Sequence, residues 1–404
     1  MDYTTLAPEV REVKEGIDFS APSLYGMCQQ MVDGRAARGK QYELAALLVL
    51  LVLAKLAGMK SLLGASDWIQ DQAEWLREHL QLSWKRVPCA NTYKYALARL
   101  DSQQVNTVVA AWLVRREAQS RCGQEPSRLV VQSSQPSLHL AIDGKALKGT
   151  GNQLYGGEDP QKQVLHVYEV QTGIVLQQCP IALEHNEVST LKPLLTEVLC
   201  KGRILTTDAA QSYHESGRLV QWAGGDVIVF VKGNTPATQA DLELFFEDDQ
   251  ADRHTWQSFE QIEKGHGRLE RRHILTSPDL NDYLRHDWGE VGQVFRLQRE
   301  RKTKDKSSVE VVYGWTSLSP KQCSPKRLLQ LIRAHWAVEN RLHWRRDVTL
   351  GEDDCGVRLP PVAQMLAVLN SLVLSLMDGH RVSNVARQIR RFASHPDEAL
   401  AWVI

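Results

Sequence analysis

The feature that most constrains the fold is a change of pattern near residue 121, which separates a helical part from a part rich in strands. Residues from about Leu24 to Arg116 carry apolar residues at helical spacing and predict a helical N-terminal domain. Residues 121–136 are rich in Gly, Gln, Ser and Pro, a composition typical of a linker. Strand patterns follow the linker, so we expect more than one domain.

Strand and helix patterns alternate in residues 137–232. A hairpin signal at Gln171–Gly173 separates two apolar runs, and Glu187–Cys200 has the pattern of an amphipathic helix. The strand candidates are Leu138–Ile142, Gln163–Val170, Gly173–Pro180, Arg203–Thr207 and Asp226–Lys232. This order of strand, hairpin, helix and strand predicts a mixed α/β layer fold.

The rest of the chain divides into a β-rich part and a helical part. The strand-like segments of residues 233–322 predict a β-rich insertion; they are Arg268–Thr276, Val291–Glu300 and Val309–Leu318. Later helix patterns lie at Lys326–Trp344, Pro361–Met377 and Val382–Ala393. The predicted domains are a helical N-terminal domain (1–120), the linker (121–136), a first part of the core (137–232), the insertion (233–322) and the C-terminal helices of the core (323–404).

Composition limits the class of protein. The 48 basic and 48 acidic residues give a formal net charge of zero, which counts mildly against DNA binding without excluding it. Seven cysteines are scattered without a CxxC pair, which favours free thiols in a reducing compartment. The most apolar run, Leu44–Met59, contains Lys55 and is shorter than the ~20 residues of a membrane span, so it predicts a buried helix. We expect a cytoplasmic protein.

Two helix patterns joined by a short turn lie in the segment TYKYALARLDSQQVNTVVAAWL, where Tyr93–Leu100 is followed by Ser102–Arg116. The segment fits a helix-turn-helix, in which the second helix enters the major groove of DNA. An ordinary helical hairpin inside the N-terminal domain is the alternative, and the pattern alone favours it over a helix-turn-helix.

Three acidic residues occupy positions suited to metal-dependent chemistry. Asp143 follows the strand LHLAI, Asp208 follows the strand RILTT, and Glu339 lies on a later predicted helix. Hydrolysis of a phosphodiester uses two hard divalent cations held by oxygen ligands roughly 3.5–4 Å apart. Because the chain has 48 acidic residues, this spacing alone is a weak signal.

Five blocks of sequence resemble one known family in their order and spacing. They are AIDGKALKGT (141–150), EHNEVSTLKPLL (184–195), ILTTDAAQSYHE (204–215), EKGHGRLERR (263–272) and HWAVENRLHWRRDVTLGEDDC (335–355). They are similar to the H-repeat-associated transposases, a bacterial insertion-sequence family with a DDE catalytic core, and the resemblance runs from about Leu24 to Met377. The chain departs from the family pattern at residues 212–214, at Cys355, and at Arg345 and Arg346, where the family is often less basic.

The resemblance implies an RNase H-like α/β core, a mixed sheet with helices, to which the β-rich insertion and the helical N-terminal domain are added. It implies a DNA transposase that cleaves insertion-sequence ends and transfers the strand into target DNA. Asp143, Asp208 and Glu339 would be the catalytic carboxylates and the ligands of two Mg²⁺ or Mn²⁺ ions. The partner would be double-stranded DNA, both the element ends and the target, bound by a homodimer in the bacterial nucleoid. The helical N-terminal domain (1–120) would be a DNA-binding domain. A decayed transposase that binds DNA without cutting, and a host or defence nuclease of the same fold, are the alternatives.

Residues close to these motifs are candidates for contacts with DNA. His335, Glu339 and His343 recur every fourth residue, on roughly one helix face. This stripe fits a set of metal ligands; we favour Glu339 as the ligand, with histidines that contact phosphate or support the site. Trp336 and Trp344 are expected in the core, and a solvated turn is the alternative for Lys145. The predicted DNA contacts are Lys145, His266, Arg268, Arg272, His335, Arg341, His343 and Arg345.

Overall fold

The structure is a computed structural model, in which the chain forms two compact units. Unit 1 comprises the described residues within Met1–Gln135, Gly144–Glu184 and Val338–Ile404, and unit 2 those within Pro136–Asp143 and His185–Ala337. The structure describes residues 23–37, 40–122, 138–150, 162–182, 184, 186–208, 214–233, 235–265, 267–304 and 306–404. Most of the predicted linker lies outside the described residues. The predicted DNA contact His266 also lies outside them.

The described residues form a mixed α/β fold. Its α-helices, in chain order, are α1 (Leu24–Gln29), α2 (Leu44–Leu56), α3 (Leu62–Asp71), α4 (Ala73–His79), α5 (Ala90–Leu97), α6 (Ser102–Cys122), α7 (Glu187–Leu191), α8 (Glu197–Cys200), α9 (His214–Trp222), α10 (Pro236–Glu247), α11 (Asn281–Trp288), α12 (Pro325–His335), α13 (Pro360–Gly379), α14 (Val385–Ser394) and α15 (Pro396–Leu400). Its strands are β1 (Leu138–Leu147), β2 (Lys162–Glu169), β3 (Ile174–Ile181), β4 (Arg203–Thr207), β5 (Asp226–Val231), β6 (Gln257–Gly265), β7 (Arg268–Ser277), β8 (Gln293–Lys302) and β9 (Ser307–Thr316).

Helices α2 and α13 form the centre of unit 1. Every residue of α2 is buried, including Lys55, as expected for a helix that is apolar on all sides. Helix α13 is long and apolar enough to cross a membrane, but 78% of its apolar window is buried inside the protein. Because it packs against α2, α5, α6 and β3, we describe it as a core helix of this unit.

The helix-turn-helix interpretation of the N-terminal domain is wrong for its second helix. Helices α5 and α6 are joined by a short turn, as predicted. However, α6 packs against β3 and α13, and its residues from Val108 to Val114 are all buried. A helix that reads a DNA groove must expose one face. The apolar residues of α6 are therefore those of a core helix, and the ordinary hairpin is the correct interpretation.

The hairpin of β2 and β3 turns where the sequence predicted a turn. The N–H of Gly173 donates to the carbonyl of Glu169 at 2.9 Å, and Gly173 has φ +77°, a conformation that L side chains rarely adopt. A Cβ at this position would also collide with the side chain of Asp378 on α13. The turn thus requires glycine for two reasons. The strand order in unit 1 is β3-β2-β1. Only the part of β1 from Gly144 onwards belongs to this unit.

Unit 2 is built on a sheet with the strand order β1-β4-β5-β9-β8-β7-β6. Strands β1, β4 and β5 are parallel neighbours, and Ile142 of β1 pairs with Thr207 of β4. Residues of β4 are all buried, as is usual in parallel strands that are covered on both faces. The strand order is that of a mixed sheet, which confirms the predicted fold class.

Residues 233–322 continue this sheet. Strand β9 pairs antiparallel with β5, with Trp315 opposite Val229, and β8, β7 and β6 follow as antiparallel neighbours. These residues therefore extend the edge of the sheet in unit 2 by four strands, and they belong to the same compact unit as β4 and β5.

Helix α12 packs on the sheet of unit 2. The Ser324 hydroxyl caps the helix by accepting a hydrogen bond from the N–H of Arg327 at 3.4 Å. Its apolar face, which includes Leu328 and Ile332, packs in one cluster with Ile204 of β4. A cap followed by apolar residues at helical spacing explains why the helix starts where the sequence predicted.

The helix predicted at Lys326–Trp344 ends earlier as an α-helix. Helix α12 stops at His335, and π-helical turns follow at Val338–His343 and Arg345–Thr349. In a π-helix each N–H bonds to the carbonyl five residues back, and such turns are frequent at functional sites. The sequence pattern predicted a helical region here but not its change of hydrogen bonding, because segments of 6 and 5 residues are too short for apolar periodicity to separate the two helix types.

The prediction that Trp336 and Trp344 are core residues is wrong. Their exposed fractions are 47% and 54%. In unit 1, the inward positions near Trp344 are occupied by Leu342 and by Arg346, which is fully buried. A polar network described below keeps Arg346 inside, so the large apolar ring lies at the surface instead.

We expect Gly173→Ala to destabilise the protein more than Gly202→Ala. Both glycines have positive φ, which costs an alanine about 1 kcal/mol. Only the Cβ at residue 173 would meet a neighbour, since the described residues leave the space around Gly202 open within 4 Å. Thermal unfolding of both variants measures the difference, and equal melting temperatures would contradict the close packing of the turn on Asp378.

Candidate active site

Two carboxylates lie next to each other in unit 2. Asp143 directly follows Ile142, Asp208 directly follows Thr207, and these two preceding residues are paired across β1 and β4. Because the strands are parallel neighbours, about 4.8 Å apart, both aspartates emerge at the same edge of the pairing. Both are half-buried. The sequence predicted strand ends at both positions, but β1 continues past Asp143 to Leu147.

Behind the aspartates, a buried polar cluster connects β1, β4 and α12. The Thr206 hydroxyl lies 2.7 Å from His139 Nε2 and 2.9 Å from His335 Nδ1. Burial, together with the positive charge of neighbouring groups, lowers the pKa of His139 to about 3, so this ring is neutral near pH 7. The cluster fixes the end of α12 to the strands that carry the aspartates.

This cluster changes the role of His335. Its side chain was predicted to contact DNA, but the residue is only 5% exposed and bonds to Thr206. A buried side chain with a partner inside the protein does not present a surface to a duplex. We therefore correct the prediction: His335 is a structural residue of unit 2.

Glu339 lies in unit 1, on the first π-helical segment. Its side chain is about half exposed (52%), and its Oε2 is 3.2 Å from Nδ1 of the buried His343. The hydrogen bond from His343, aided by Lys145, outweighs partial burial and lowers the pKa of Glu339. Glu339 is therefore ionised at neutral pH, and its ligand atoms and those of His343 are close enough to hold one cation.

Lys145 is held by an ion pair. Its Nζ lies 2.5 Å from Oδ1 of Asp347, and the lysine residue is only 8% exposed. Burial raises the pKa of Asp347 despite this partner. The alternative of a solvated turn lysine is wrong, because Lys145 lies inside β1. Its predicted contact with phosphate would require the ion pair to open.

Arg341 and Arg345 share one acceptor in unit 1. They lie 3.0 Å and 2.8 Å from the two oxygens of Asp378, whose side chain is 6% exposed. Arg341 also donates to the carbonyl of Val170 at 2.8 Å. Their guanidinium groups thus hold the end of α13 to the β2–β3 turn. A role in DNA binding stays a prediction for these partly exposed side chains.

The basic residues of β7 are surrounded by carboxylates. Arg272 pairs with Glu263 at 2.8 Å and with Glu270, and its side chain is 14% exposed. Arg268 is 41% exposed and pairs with Glu270 at 2.7 Å. Arg333 of α12 also pairs with Glu263, at 2.9 Å. Since their charges are locally compensated, binding DNA phosphates would require these arginines to exchange partners.

A buried polar network in unit 1 was not found from the sequence. Arg346 donates to both oxygens of Glu352 at 2.9 and 2.7 Å and to Nε2 of His166 at 2.6 Å. Asn370 also donates to Glu352, at 2.8 Å. Burial raises the pKa of Glu352, but Arg346 and Asn370 outweigh it and keep the carboxyl ionised. The available signal was a histidine inside an apolar strand, as in VLHVYE for His166.

Comparison with known proteins agrees with this architecture. The transposase DDE domain matches residues 134–376, more than half of the chain, and a second family, described as DDE_Tnp_1-associated, matches residues 27–113. The chain therefore belongs to the transposase DDE domain family. Membership implies an RNase H-like fold, binding of DNA and the use of a divalent metal.

Relatives with curated names cover most of the chain. "Putative protein YbfL" of Escherichia coli K12 is 24% identical over 374 residues, 89% of this chain and 92% of its own. "Putative transposase YncI" of Escherichia coli O157:H7 is 24% identical over 361 residues, 89% and 88% of the two chains. "H repeat-associated putative transposase YhhI" of Escherichia coli K12 is 23% identical over 374 residues, 89% and 92%. These names agree with the family that the motifs resemble.

We expect Arg346→Met to destabilise the protein by about 3–5 kcal/mol, because it leaves the Glu352 carboxylate buried without its ion-pair partner. The double variant Arg346→Met/Glu352→Gln removes both charges and should recover a large part of this loss. Chemical denaturation of the three proteins measures the effect. If the double variant is as unstable as the single one, the ion pair does not account for the cost.

Proposed function

We propose that this protein is a transposase that cleaves DNA at insertion-sequence ends and joins the cleaved strand to target DNA. The observation that carries the proposal is the parallel pairing of β1 with β4, which places Asp143 on β1 next to Asp208 directly after β4, in a chain that belongs to the transposase DDE domain family. Both reactions are attacks of a hydroxyl on a phosphodiester, so one site serves both.

Glu339 is proposed as the third carboxylate. The resemblance assigns it this role, and its chemistry supports the assignment, because the side chain is ionised and half-exposed. Strand β1 supplies a further argument. Lys145 lies two residues beyond Asp143 on this strand and contributes to the low pKa of Glu339 within unit 1.

The donor set fits hard divalent cations such as Mg²⁺ or Mn²⁺, which prefer carboxylate oxygens. Asp143, Asp208 and Glu339 would hold two ions. When bound, the ions would activate the attacking hydroxyl and stabilise the leaving oxygen. The protein sets the positions of these carboxylates. The backbone pairing of β1 with β4 positions the two aspartates, and a hydrogen bond with His343 positions Glu339.

DNA would be bound by exposed basic residues. Arg387 and Arg390 of α14 are exposed on the polar face of an amphipathic helix. In the N-terminal domain, Lys94 on α5 and Arg99, two residues after this helix, are exposed and replace the buried α6 as candidates. Contacts of this kind follow phosphates and give steep salt dependence. We propose binding as a homodimer, in the bacterial cytoplasm at the nucleoid.

Asp143→Asn, Asp208→Asn and Glu339→Gln should each lower the rate of end cleavage by ~10²–10³-fold or more, because each removes one charged metal ligand. The amide has nearly the same shape, so folding and DNA binding should change little. The measurement is cleavage of a duplex that carries the element's end, with Mg²⁺ or Mn²⁺ and with EDTA.

Asp249→Asn is the matched control, since Asp249 is an exposed carboxylate outside the proposed site. It should cleave at the rate of the unsubstituted protein. Full activity in Asp143→Asn, or cleavage in EDTA, would refute the proposed chemistry. Binding of the DNA end without cleavage by the unsubstituted protein would favour a decayed transposase instead.

A further inference from the structure

The buried polar network of unit 1 forms one continuous chain of hydrogen bonds that ends on Glu339. Arg346 is fully buried and donates to Nε2 of His166 at 2.6 Å. Nδ1 of His166 lies 3.2 Å from Nε2 of His343, and Nδ1 of His343 lies 3.2 Å from Oε2 of Glu339. Both histidines are at most 3% exposed. Which atom donates and which accepts in each of these hydrogen bonds follows from Arg346, at the start of the chain.

Arginine donates hydrogen bonds and cannot accept them. Nε2 of His166 must therefore accept from Arg346. Burial, with the charge of Arg346 nearby, holds the pKa of His166 well below its usual value, so the neutral ring has one proton, on Nδ1. Gln178 Oε1 lies 3.2 Å from the same Nε2, but it accepts from the Ser371 hydroxyl at 3.1 Å, and the 2.6 Å contact with Arg346 takes the lone pair of Nε2.

The same logic sets the state of His343. Because Nδ1 of His166 has the proton, Nε2 of His343 accepts it. A proton on that Nε2 would face the proton of His166, so the proton of His343 lies on Nδ1. That proton points to Oε2 of Glu339. A protonated nitrogen has no lone pair for a metal.

We infer that Arg346, through His166, fixes the tautomer of His343 so that His343 donates to Glu339 and positions its carboxylate. His343 is then a positioning residue and not a metal ligand, and Oε1 of Glu339 is left for the cation. Hydrogen bonds from outer residues commonly orient metal ligands in this way. The inference rests on the proposed role of Glu339, and it decides between the two interpretations of the histidine stripe.

Two substitutions of His343 distinguish this role from simple packing. In His343→Asn the amide NH₂ replaces Nδ1–H and still donates to Glu339, whereas in His343→Gln the amide reaches the position of Nε2 instead. We expect His343→Asn to keep end cleavage within about threefold, and His343→Gln to lose ~10–100-fold in cleavage and to need more Mn²⁺ for half-maximal rate. Melting temperatures control for folding.

Equal rates in the two variants, or a more active His343→Gln, would overturn the inference while leaving the proposed function intact. The tautomer is read independently by ¹⁵N NMR of histidine-labelled protein without metal, where the His343 signal is identified by its loss in His343→Gln. We expect protonated Nδ1; protonated Nε2 would refute the inference. If His343→Gln misfolds, loss of the signal in His343→Asn makes the same assignment. This readout holds even if the unsubstituted protein fails to cleave, which would count against the proposed function alone.

Discussion

The parallel pairing of β1 with β4 is the interaction on which the candidate site depends. It brings Asp143 and Asp208 to one edge of the sheet, although 64 residues lie between them in the chain. The Thr206 hydroxyl reinforces the pairing, because it bonds to His139 on β1 and to His335 on α12. A shift of register by one residue would turn the side chains of a strand to the other face, and it would break these bonds as well. The carboxylates are thus positioned by backbone pairing and by a buried hydroxyl.

Buried ion pairs give unit 1 a defined arrangement more than they give it stability. Removing two charges from water costs about as much as their attraction returns, so replacement by apolar residues is often neutral or stabilising. Arg346 with Glu352, Lys145 with Asp347, and Arg345 with Asp378 all join segments that are distant in sequence or at a turn. These ion pairs instead fix the orientation of the groups involved. The planar guanidinium of Arg346 donates its hydrogen bonds in fixed directions, and this sets which atoms donate and which accept along the chain of hydrogen bonds to Glu339.

Several basic residues of the chain are paired with carboxylates inside the protein. Arginines of β7 and α12 face Glu263 and Glu270 within unit 2, and arginines near Glu339 face Asp378 in unit 1. The total charge of a chain does not show whether its basic residues are compensated by structural carboxylates or exposed to a partner. A DNA-binding family is therefore compatible with a balanced composition, and Arg387 and Arg390 are exposed on one helix face.

The sequence by itself determined the elements and the positions of the aspartates. The apolar α2, strands β1, β4 and β5, the glycine turn at Gly173 and the start of α12 are local patterns, set by periodicity, turn chemistry and capping. It could not decide the roles of side chains whose partners are remote. Lys145 meets Asp347 across 202 positions and His166 meets Arg346 across 180, so burial and pairing there depend on the whole fold. That is why His335 and the two tryptophans were misjudged: a side chain's environment is a tertiary property, which local spacing does not contain.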